Sequence, residues 1–351
     1  MPTRITGWGH ALPPTILDNS ELESRLDTSD TWIMERTGIR ERHVGGTTSD
    51  LAYQAGLQAI GRAGVKAAGI DLLVLATTTP DLAMPAASTS VHHRLGLSGG
   101  ALDLNAACSG FVYAFVLADS LLEHNSAGIK RLLLIGADTL AGITDPADRT
   151  TAVLFGDGAG ALVLEAASGS SGGSRSDRTG SRSRESGEGL GRPVGAGGLG
   201  GAISGESGDG YPQHGLLGAD LGNDGSGYSL LTAAHGGYIE MEGREIFRRA
   251  VRVTVESAQV ALARAHLTAE DVSLFVPHQA NLRIIQAACE RLGIDEKRTA
   301  ITIDRTGNTS AASIPLALSE ALDTGRVREG DIVLMTGFGA GMSWGSVVVR
   351  I

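Results

Sequence analysis

The chain has 351 residues, enough to bury a sizeable core as one large or two medium domains, and its net charge of −10 disfavours nucleic acid as a general partner. No run of about 18 apolar residues occurs, so the sequence predicts no membrane-spanning helix. The N-terminal residues lack the apolar core of a signal peptide, and two cysteines are too few for a disulfide scaffold, so we expect a protein of the reducing cytoplasm.

The first half of the chain alternates short apolar strands with helices. A strand is predicted over residues 3–9, followed by polar, irregular sequence over 20–48. Apolar periodicity then predicts, in order, helix 49–63, strand 72–76, helix 87–95, strand 101–104, helix 108–123 and strand 131–136. Two further apolar runs, 151–155 and 159–165, follow.

The composition changes abruptly after this half. Residues from about 167 to 210 are rich in Gly, Ser and Arg, with almost no large apolar side chain before Leu190. Such a segment buries too little surface to offset its ordering entropy. We therefore predict a partly disordered insertion with a cap loop over 167–235, between an N-terminal half, 1–166, and a C-terminal half, 236–351.

The second half repeats the order of the first. Its predicted elements are helix 244–265, strand 272–276, helix 280–292, strand 300–303, helix 309–322 and strands 332–336 and 345–351. Strands that alternate with helices predict an α/β fold with mostly parallel sheets. Two copies of one series predict two pseudo-two-fold-related halves with a single fused core.

Cys108 lies where strand 101–104 passes into an apolar helix. The first N–H groups of a helix are unpaired and stabilise a thiolate, the nucleophilic form of cysteine. The alternative, an inert buried thiol, is equally compatible with this position. Cys289 lies inside a predicted helix, and we interpret it as inert.

His278 and Asn308 are the polar residues that the repeat brings into relation with Cys108. His278 follows strand 272–276, and Asn308 stands at a strand-to-helix junction equivalent to that of Cys108. Taken singly, the first could be a structural histidine and the second a helix cap. Because ligands of α/β sheets bind beyond the carboxyl ends of strands, we expect the three to converge on one site.

Two other kinds of site are disfavoured. Residues 156–161 satisfy the glycine spacing of a dinucleotide-binding loop, but a strand follows them instead of a helix. Neither cysteine has a histidine pair beside it, so we predict no metal site.

Four motifs together resemble those of β-ketoacyl-acyl carrier protein synthase III, a family of the thiolase-fold superfamily. They are NAACSGF at 105–111, VPHQANLR at 276–283, GNTSAA at 307–312 and GFGAG at 337–341. The resemblance covers nearly the whole chain apart from roughly 167–235. It implies a thiolase-like α/β fold with a layered α-β-α-β-α core.

The resemblance also implies a reaction, the decarboxylative condensation of an acyl-CoA primer with malonyl-acyl carrier protein that initiates fatty-acid synthesis. Cys108 would carry the acyl group, with its own N–H and that of Ala340, where the family usually has glycine, as the oxyanion hole. His278 and Asn308 would be the donors to the enolate. No cofactor is implied beyond the carrier thiols.

Further contacts follow from the same resemblance. Trp32 and Arg149 would flank the adenine of CoA, with Arg36 on the phosphate side, and Met84 would line the acyl pocket across the interface of a homodimer. A basic patch would receive the acidic carrier protein, although it could equally be a solvated helix face. Its members are Arg248, Arg249, Arg252, Arg283 and Arg291.

Three alternative functions remain open. A relative from secondary metabolism would load a polyketide starter or transfer an acyl group to a hydroxyl or amine. His278 and Asn308 favour condensation over it, because simple transfer needs no enolate donors. A thiol hydrolase using Cys108 and His278 is disfavoured, because no acidic or amide group that would orient the histidine stands beside its motif and because the tunnel motifs are present. A non-catalytic partner subunit is disfavoured because such subunits typically lose the nucleophile.

Overall fold

The computed structural model describes residues 3–167 and 214–351 of the chain. Residues 168–213, which make up most of the predicted insertion over 167–235, lie outside the described residues. The elements of the first range are β1 (Thr3–Ala11), β2 (Thr15–Asp18), α1 (Asn19–Glu23), α2 (Asp30–Thr37), β3 (Glu41–Val44), α3 (Thr48–Ala63), β4 (Leu72–Ala76), α4 (Ala87–Leu95), β5 (Gly100–Leu104), α5 (Gly110–Glu123), β6 (Arg131–Thr139), α6 (Arg149–Ala152) and β7 (Asp157–Ala166).

The second range continues the same alternation of strands and helices. Its elements are β8 (Gly215–Asn223), β9 (Leu231–Ala233), β10 (Ile239–Met241), α7 (Gly243–Arg264), β11 (Leu274–Pro277), α8 (Leu282–Leu292), α9 (Ile303–Thr306), α10 (Ser313–Asp323), β12 (Ile332–Gly339) and β13 (Ser343–Arg350).

Within the described part of the chain, the second main sheet repeats the topology of the first, except that β5 has no counterpart in it. Among the described residues, the first sheet has the order β1-β7-β6-β4-β5 and the second the order β11-β12-β13-β8. β4 and β6 are parallel and β7 is antiparallel to β6, as β11 and β12 are parallel and β13 is antiparallel to β12. β1 and β8 close the two sheets in the same antiparallel sense. The pseudo-two-fold repeat is thus built into the strand order.

The helices form three layers around these sheets. The central core combines α5 and α10, through residues such as Phe115 and Leu318, with one face of each sheet. α3 and α4 cover the outer face of the first sheet, and α7 and α8 that of the second. Alternate residues of one strand face different layers: Val74 joins the central core and Leu73 the outer one. This α-β-α-β-α arrangement confirms the predicted fold class.

The junctions between the halves are too tight for side chains. A Cβ atom added at Gly136 of β6 would lie 2.3 Å from the carbonyl oxygen of Ala311. One added at Gly337 of β12 would lie 3.1 Å from the Cα of Ser109. The turn that opens each central helix therefore packs directly on a strand of the other half, which brings Cys108 and Asn308 to the junction.

The prediction of a strand over 300–303 is wrong. Only Thr299 bridges β11, through Phe275, and the chain then turns into α9. The side chain of Gln279 accepts hydrogen bonds from the N–H groups of Thr302 and Ile303 and donates to the carbonyl of Ala300. One buried side-chain amide thus replaces the partners that a strand would supply.

Two other segments are more ordered than their composition suggested. Residues 20–48, predicted to be irregular, contain most of α1 together with α2 and β3, and β3 pairs with β2. Residues 215–223, placed by the sequence in the insertion, form β8 of the second sheet. We therefore propose that the C-terminal half begins near residue 214, instead of at 236.

Candidate active site

Two matching turns lead into the central helices. Ala107–Ser109 precedes α5, and Ser310–Ala312 precedes α10. Ala107 and Ser310 both have positive φ angles, 48° and 52°. In each turn an asparagine two residues earlier accepts a hydrogen bond from that residue's N–H, Asn105 at 3.1 Å and Asn308 at 2.9 Å. The repeat therefore extends to the geometry around Cys108.

Cys108, His278 and Asn308 line one cavity of about 130 Å³. The structure thus brings together the three residues that the sequence placed on separate motifs. Much of the remaining wall is apolar, and part of it comes from the segment that leads into α7. Its large apolar members include Leu231, Met241, Ile246, Phe247, Ile284 and Phe338.

Cys108 is a buried thiol with a hydroxyl donor. Its exposed fraction is 9%, and the hydroxyl of Ser310 donates a hydrogen bond to Sγ at 3.3 Å. Burial raises the pKa of Cys108 to about 12, against the lowering effect of the Ser310 hydrogen bond, and the charge of Asp138 raises it further. The expectation of a stabilised thiolate considered the helix start alone, whereas desolvation of the buried thiol is the largest effect on its pKa.

Replacing Ser310 with alanine is expected to slow alkylation of Cys108 by iodoacetamide about tenfold or more. A hydroxyl that donates to sulfur stabilises the thiolate, so its loss raises the thiol pKa and lowers the thiolate fraction at any given pH. The turn should tolerate alanine, because Ala107 adopts the matching conformation in the first half. The measurement is the alkylation rate of each cysteine by mass spectrometry across a pH series.

Cys289 supplies the internal control for this experiment. It is 3% exposed, and its sulfur lies 3.3 Å from the Thr299 hydroxyl, away from the cavity. A variant that merely loosened the fold would accelerate alkylation of Cys289. An unchanged rate at Cys108 would contradict the role of the Ser310 hydroxyl.

The backbone and the ring of His278 are both fixed by contacts. Its N–H donates to the carbonyl of Thr336 at 2.7 Å, and its ring packs edge-on against Phe338 with centroids 5.5 Å apart. Nδ1 lies 2.7 Å from the hydroxyl of Ser313. Burial lowers the pKa of His278 to about 3, so the imidazole is neutral. Its partner Ser313 was not predicted from the sequence.

Asn308 presents its amide in a defined orientation. Its Oδ1 accepts from the N–H of Ser310, which leaves Nδ2 as the donor end of the side chain. Its backbone is bonded on both sides to the 154–156 segment, since its N–H donates to the carbonyl of Leu154 and its carbonyl accepts from the N–H of Gly156. The amide is therefore a preorganised donor in the wall of the cavity.

Asp138 holds the backbone next to the site, a role that the sequence did not predict. The buried carboxylate accepts from three successive threonines, Thr77 to Thr79, and from the N–H of Ala311. It thus ties the first half to the turn that carries Ser310. A buried aspartate after an apolar strand was the available signal, but nothing in its spacing identified the partner.

The end of β12 approaches Cys108 closely. A Cβ atom added at Gly339 would lie 2.6 Å from the backbone nitrogen of Cys108. Ala340 is the next residue. It is not one of the described non-glycine residues that have a positive φ angle. Alanine therefore occupies this position without backbone strain.

Comparison with known proteins identifies the chain. The model of the 3-oxoacyl-[acyl-carrier-protein] synthase III family matches residues 102–180, and that of its C-terminal part matches 262–351. The β-ketoacyl-[acyl-carrier-protein] synthase III of Staphylococcus saprophyticus is 41% identical over an alignment of 355 positions that covers 100% of this chain and 99% of the relative. The chain belongs to the synthase III family.

Solved structures agree with this assignment. The 3-oxoacyl-[acyl-carrier-protein] synthase III of Aquifex aeolicus is 39% identical, with a TM-score of 0.84 over 99% of this chain and 100% of its own. A priming β-ketosynthase from a polyketide biosynthetic pathway is 32% identical, with a TM-score of 0.82 over 99% of this chain and 96% of its own.

The residues that the synthase III resemblance assigned to CoA form one cluster. The guanidinium carbons of Arg36 and Arg149 lie 4.5 Å and 4.9 Å from the centroid of the Trp32 ring. Arg149 also donates to the carbonyl of Asp27 at 2.6 Å. Asn281 of the cavity wall donates to the carbonyl of Arg36 at 2.9 Å, so this cluster is tied to the His278 motif.

The predicted carrier-protein patch is divided by its internal contacts. Arg248 is exposed and paired with Glu245, whereas Arg249 is bound by both Glu245 and Asp224 and is 23% exposed. Arg283 lies over the ring of Phe247, a wall residue, at 5.5 Å. Arg291 is exposed in the last turn of α8, about 12 Å along the helix axis from Arg283.

Met84 does not line the cavity that contains Cys108 of the same chain. Its exposed fraction is 84%.

Within residues 3–167 and 214–351, every helix is too short or too polar to span a lipid bilayer. The same residues contain no cluster of three or more His, Cys, Asp or Glu side chains arranged to hold a metal ion.

Proposed function

We propose that this chain condenses an acyl-CoA primer with malonyl-acyl carrier protein, giving β-ketoacyl-acyl carrier protein, CO₂ and free CoA at the start of fatty-acid synthesis. The observation that carries the proposal is the single cavity lined by Cys108, His278 and Asn308 in a chain of the synthase III family. A nucleophile and two neutral donors are the groups that such a condensation requires.

In the first stage the Cys108 sulfur attacks the thioester carbonyl of acyl-CoA. The C–S bond to CoA breaks, and CoA leaves as the free thiol, its sulfur taking up the proton that the Cys108 thiol loses. The backbone N–H groups of Cys108 and Ala340 are the proposed donors to the tetrahedral oxyanion. The close approach of Gly339 to the Cys108 nitrogen supports this pairing, because it brings the two backbone segments together.

In the second stage malonyl-acyl carrier protein replaces CoA and loses CO₂. The electron pair of the broken C–C bond forms an enolate, whose oxygen needs donors. The Nδ2 group of Asn308 and the neutral imidazole of His278 serve this oxygen. The carbon then attacks the acyl–Cys108 thioester, the C–S bond breaks, and the released Cys108 thiolate takes up a proton from solvent to restore the thiol. The two carrier thiols suffice, and the reaction needs no further cofactor.

The apolar wall suits the arm that both carriers share, phosphopantetheine. We propose that Trp32 and Arg149 take the adenine of CoA at the outer end and Arg36 its phosphates. A purine stacked between an indole and a guanidinium needs about 7 Å, two van der Waals separations. Arg149 must therefore swing away from Trp32, at the cost of its bond to Asp27.

We propose that an acidic carrier protein docks on the basic side chains around the cavity. Arg248 and Arg283 are both exposed. Arg248 follows the wall residue Phe247 in the chain, and Arg283 lies over the ring of Phe247, which supports direct contact of both with the carrier protein. Arg249 contributes less, because two carboxylates already engage it. Arg291, a helix length away, would make a peripheral contact.

We propose that the chain acts as a homodimer. β5 is an edge strand of its sheet, and Leu102 on this strand is 42% exposed. Leu82 and Met84, which are 60% and 84% exposed, lie in the segment that leads into α4, whose first N–H groups donate to Asp103 of β5. An apolar sheet edge favours pairing with a second copy, which would carry Met84 into the partner's acyl pocket. Sedimentation equilibrium should give twice the chain mass.

We also propose that the protein acts in the cytoplasm, because its two free cysteines fit a reducing compartment.

The test incubates the protein with acetyl-, isobutyryl- and longer acyl-CoA, each with malonyl-acyl carrier protein. We expect an acyl adduct on Cys108 and a β-ketoacyl-carrier product, both by mass. An acyl adduct that never yields the β-keto product would overturn the proposal.

The polyketide alternative has one specific observation in its favour, the 32% identical priming ketosynthase. Both enzymes would perform the same condensation, so the chemistry of the cavity does not separate them. The carrier protein does: we expect faster turnover with the fatty-acid carrier of the source organism than with polyketide carriers.

A further inference from the structure

The hydroxyl of Ser313 has two neighbours. Its Oγ lies 2.7 Å from Nδ1 of His278 and accepts a hydrogen bond from the N–H of Gln279 at 3.3 Å. Ser313 is only 1% exposed, so its own proton needs an acceptor within the protein. Gln279 offers a donor, and no other partner of this hydroxyl lies among the described residues. Nδ1 of His278 is therefore the acceptor for the serine proton.

The position of the proton on the imidazole follows from this bond and from the burial of the ring. Burial lowers the pKa of His278 to about 3, so the ring carries a single proton at neutral pH. A nitrogen that accepts from Ser313 cannot hold that proton. The opposite tautomer would leave the Ser313 hydroxyl as a buried donor without an acceptor, which is costly.

We propose that Ser313 is a positioning residue that fixes the tautomer of His278, with the ring proton on Nε2. In this form the imidazole donates a hydrogen bond from Nε2, as the enolate oxygen requires, and that nitrogen cannot accept a proton from the Cys108 thiol. Acylation and decarboxylation thus rely on different hydroxyl groups: that of Ser310, which donates to Cys108 Sγ, and that of Ser313, which donates to Nδ1 of His278. The catalytic consequence rests on the proposed function, but the tautomer does not.

The first test reads the tautomer directly. Proton–nitrogen correlation spectra of the full chain, with histidine labelled with ¹⁵N, identify which ring nitrogen is protonated. The His278→Gln variant assigns the signal among the nine histidines. We expect protonation on Nε2 across the neutral pH range. A ring protonated on Nδ1 would overturn the proposal, whatever the activity of the enzyme.

The second test separates the two half-reactions. Ser313→Ala should slow decarboxylation of malonyl-acyl carrier protein about 10- to 100-fold, the usual cost of losing the partner that orients a functional histidine. Acylation of Cys108 should stay within about twofold. Ser313→Thr, which keeps the hydroxyl, should restore decarboxylation. Equal losses in both half-reactions, or full decarboxylation in Ser313→Ala, would contradict the proposal.

Ser319 provides a matched control on the same helix. It is fully buried, and its Oγ lies 3.1 Å from Nδ1 of His10, outside the cavity. Ser319→Ala removes the same kind of serine–histidine contact and should leave decarboxylation unchanged. If the wild-type protein shows the Nε2 tautomer but performs neither half-reaction, the proposed function fails and the inference about Ser313 stands.

Discussion

Replacing Cys108 with alanine should abolish the acyl-enzyme and lower the rate of condensation about 10⁴-fold or more. The sulfur atom is the proposed attachment point of the acyl group, and none of the other groups around the cavity discussed above is a comparable nucleophile. The measurement is the mass of the intact protein after incubation with acyl-CoA, together with product formation from malonyl-acyl carrier protein. A persistent acyl adduct on the variant would show that another residue is the nucleophile.

Cys289→Ala is the matched control for this variant. Cys289 is also buried, but it lies within α8 beside Thr299 and outside the cavity wall. We expect the acyl adduct and the condensation rate to remain close to those of the wild-type protein. The pair of variants thus separates the loss of a nucleophile from the loss of a buried thiol.

Replacing Asn308 with alanine should leave acylation of Cys108 within about twofold but lower decarboxylation about 10²- to 10³-fold. The expected size is the usual effect of removing one donor from an oxyanion site. Acylation is spared because its proposed donors are backbone N–H groups. Single-turnover acylation and CO₂ release, measured separately, check both parts.

Asn308→Asp distinguishes the donor from the turn. Aspartate keeps an oxygen to accept from the N–H of Ser310, so the turn into α10 should persist. It removes Nδ2 and places a negative charge where the enolate develops, so decarboxylation should fall at least as far as in the alanine variant. Decarboxylation at the wild-type rate in Asn308→Asp would show that the role of this residue is structural.

Much of the fold follows from short-range pattern. The strand 72–76 and the helix 87–95 have the same bounds in the structure as in the sequence analysis. Continuous apolar runs and helical periodicity are local signals: the strand is buried along nearly its whole length, and the helix buries one face. The repeat of element order likewise sufficed to predict two related halves.

The errors share one physical cause, which is pairing with distant residues. The 300–303 segment has the composition of a strand, but the side chain of Gln279 satisfies its backbone groups. The glycine-containing 215–223 segment has no strong strand signal, yet β13 pairs with it along its length. In both cases partners remote in sequence override local preference.

For the site, the sequence alone determined the chemical groups: a cysteine at a helix start, a histidine past a strand and an asparagine at a junction that the repeat makes equivalent. The tertiary structure decided their state. Burial raises the pKa of Cys108 and lowers that of His278, and Ser310 and Ser313 supply the hydroxyls that face them. Desolvation and hydrogen-bond geometry depend on atoms that only folding brings together, so no motif in the chain could specify them.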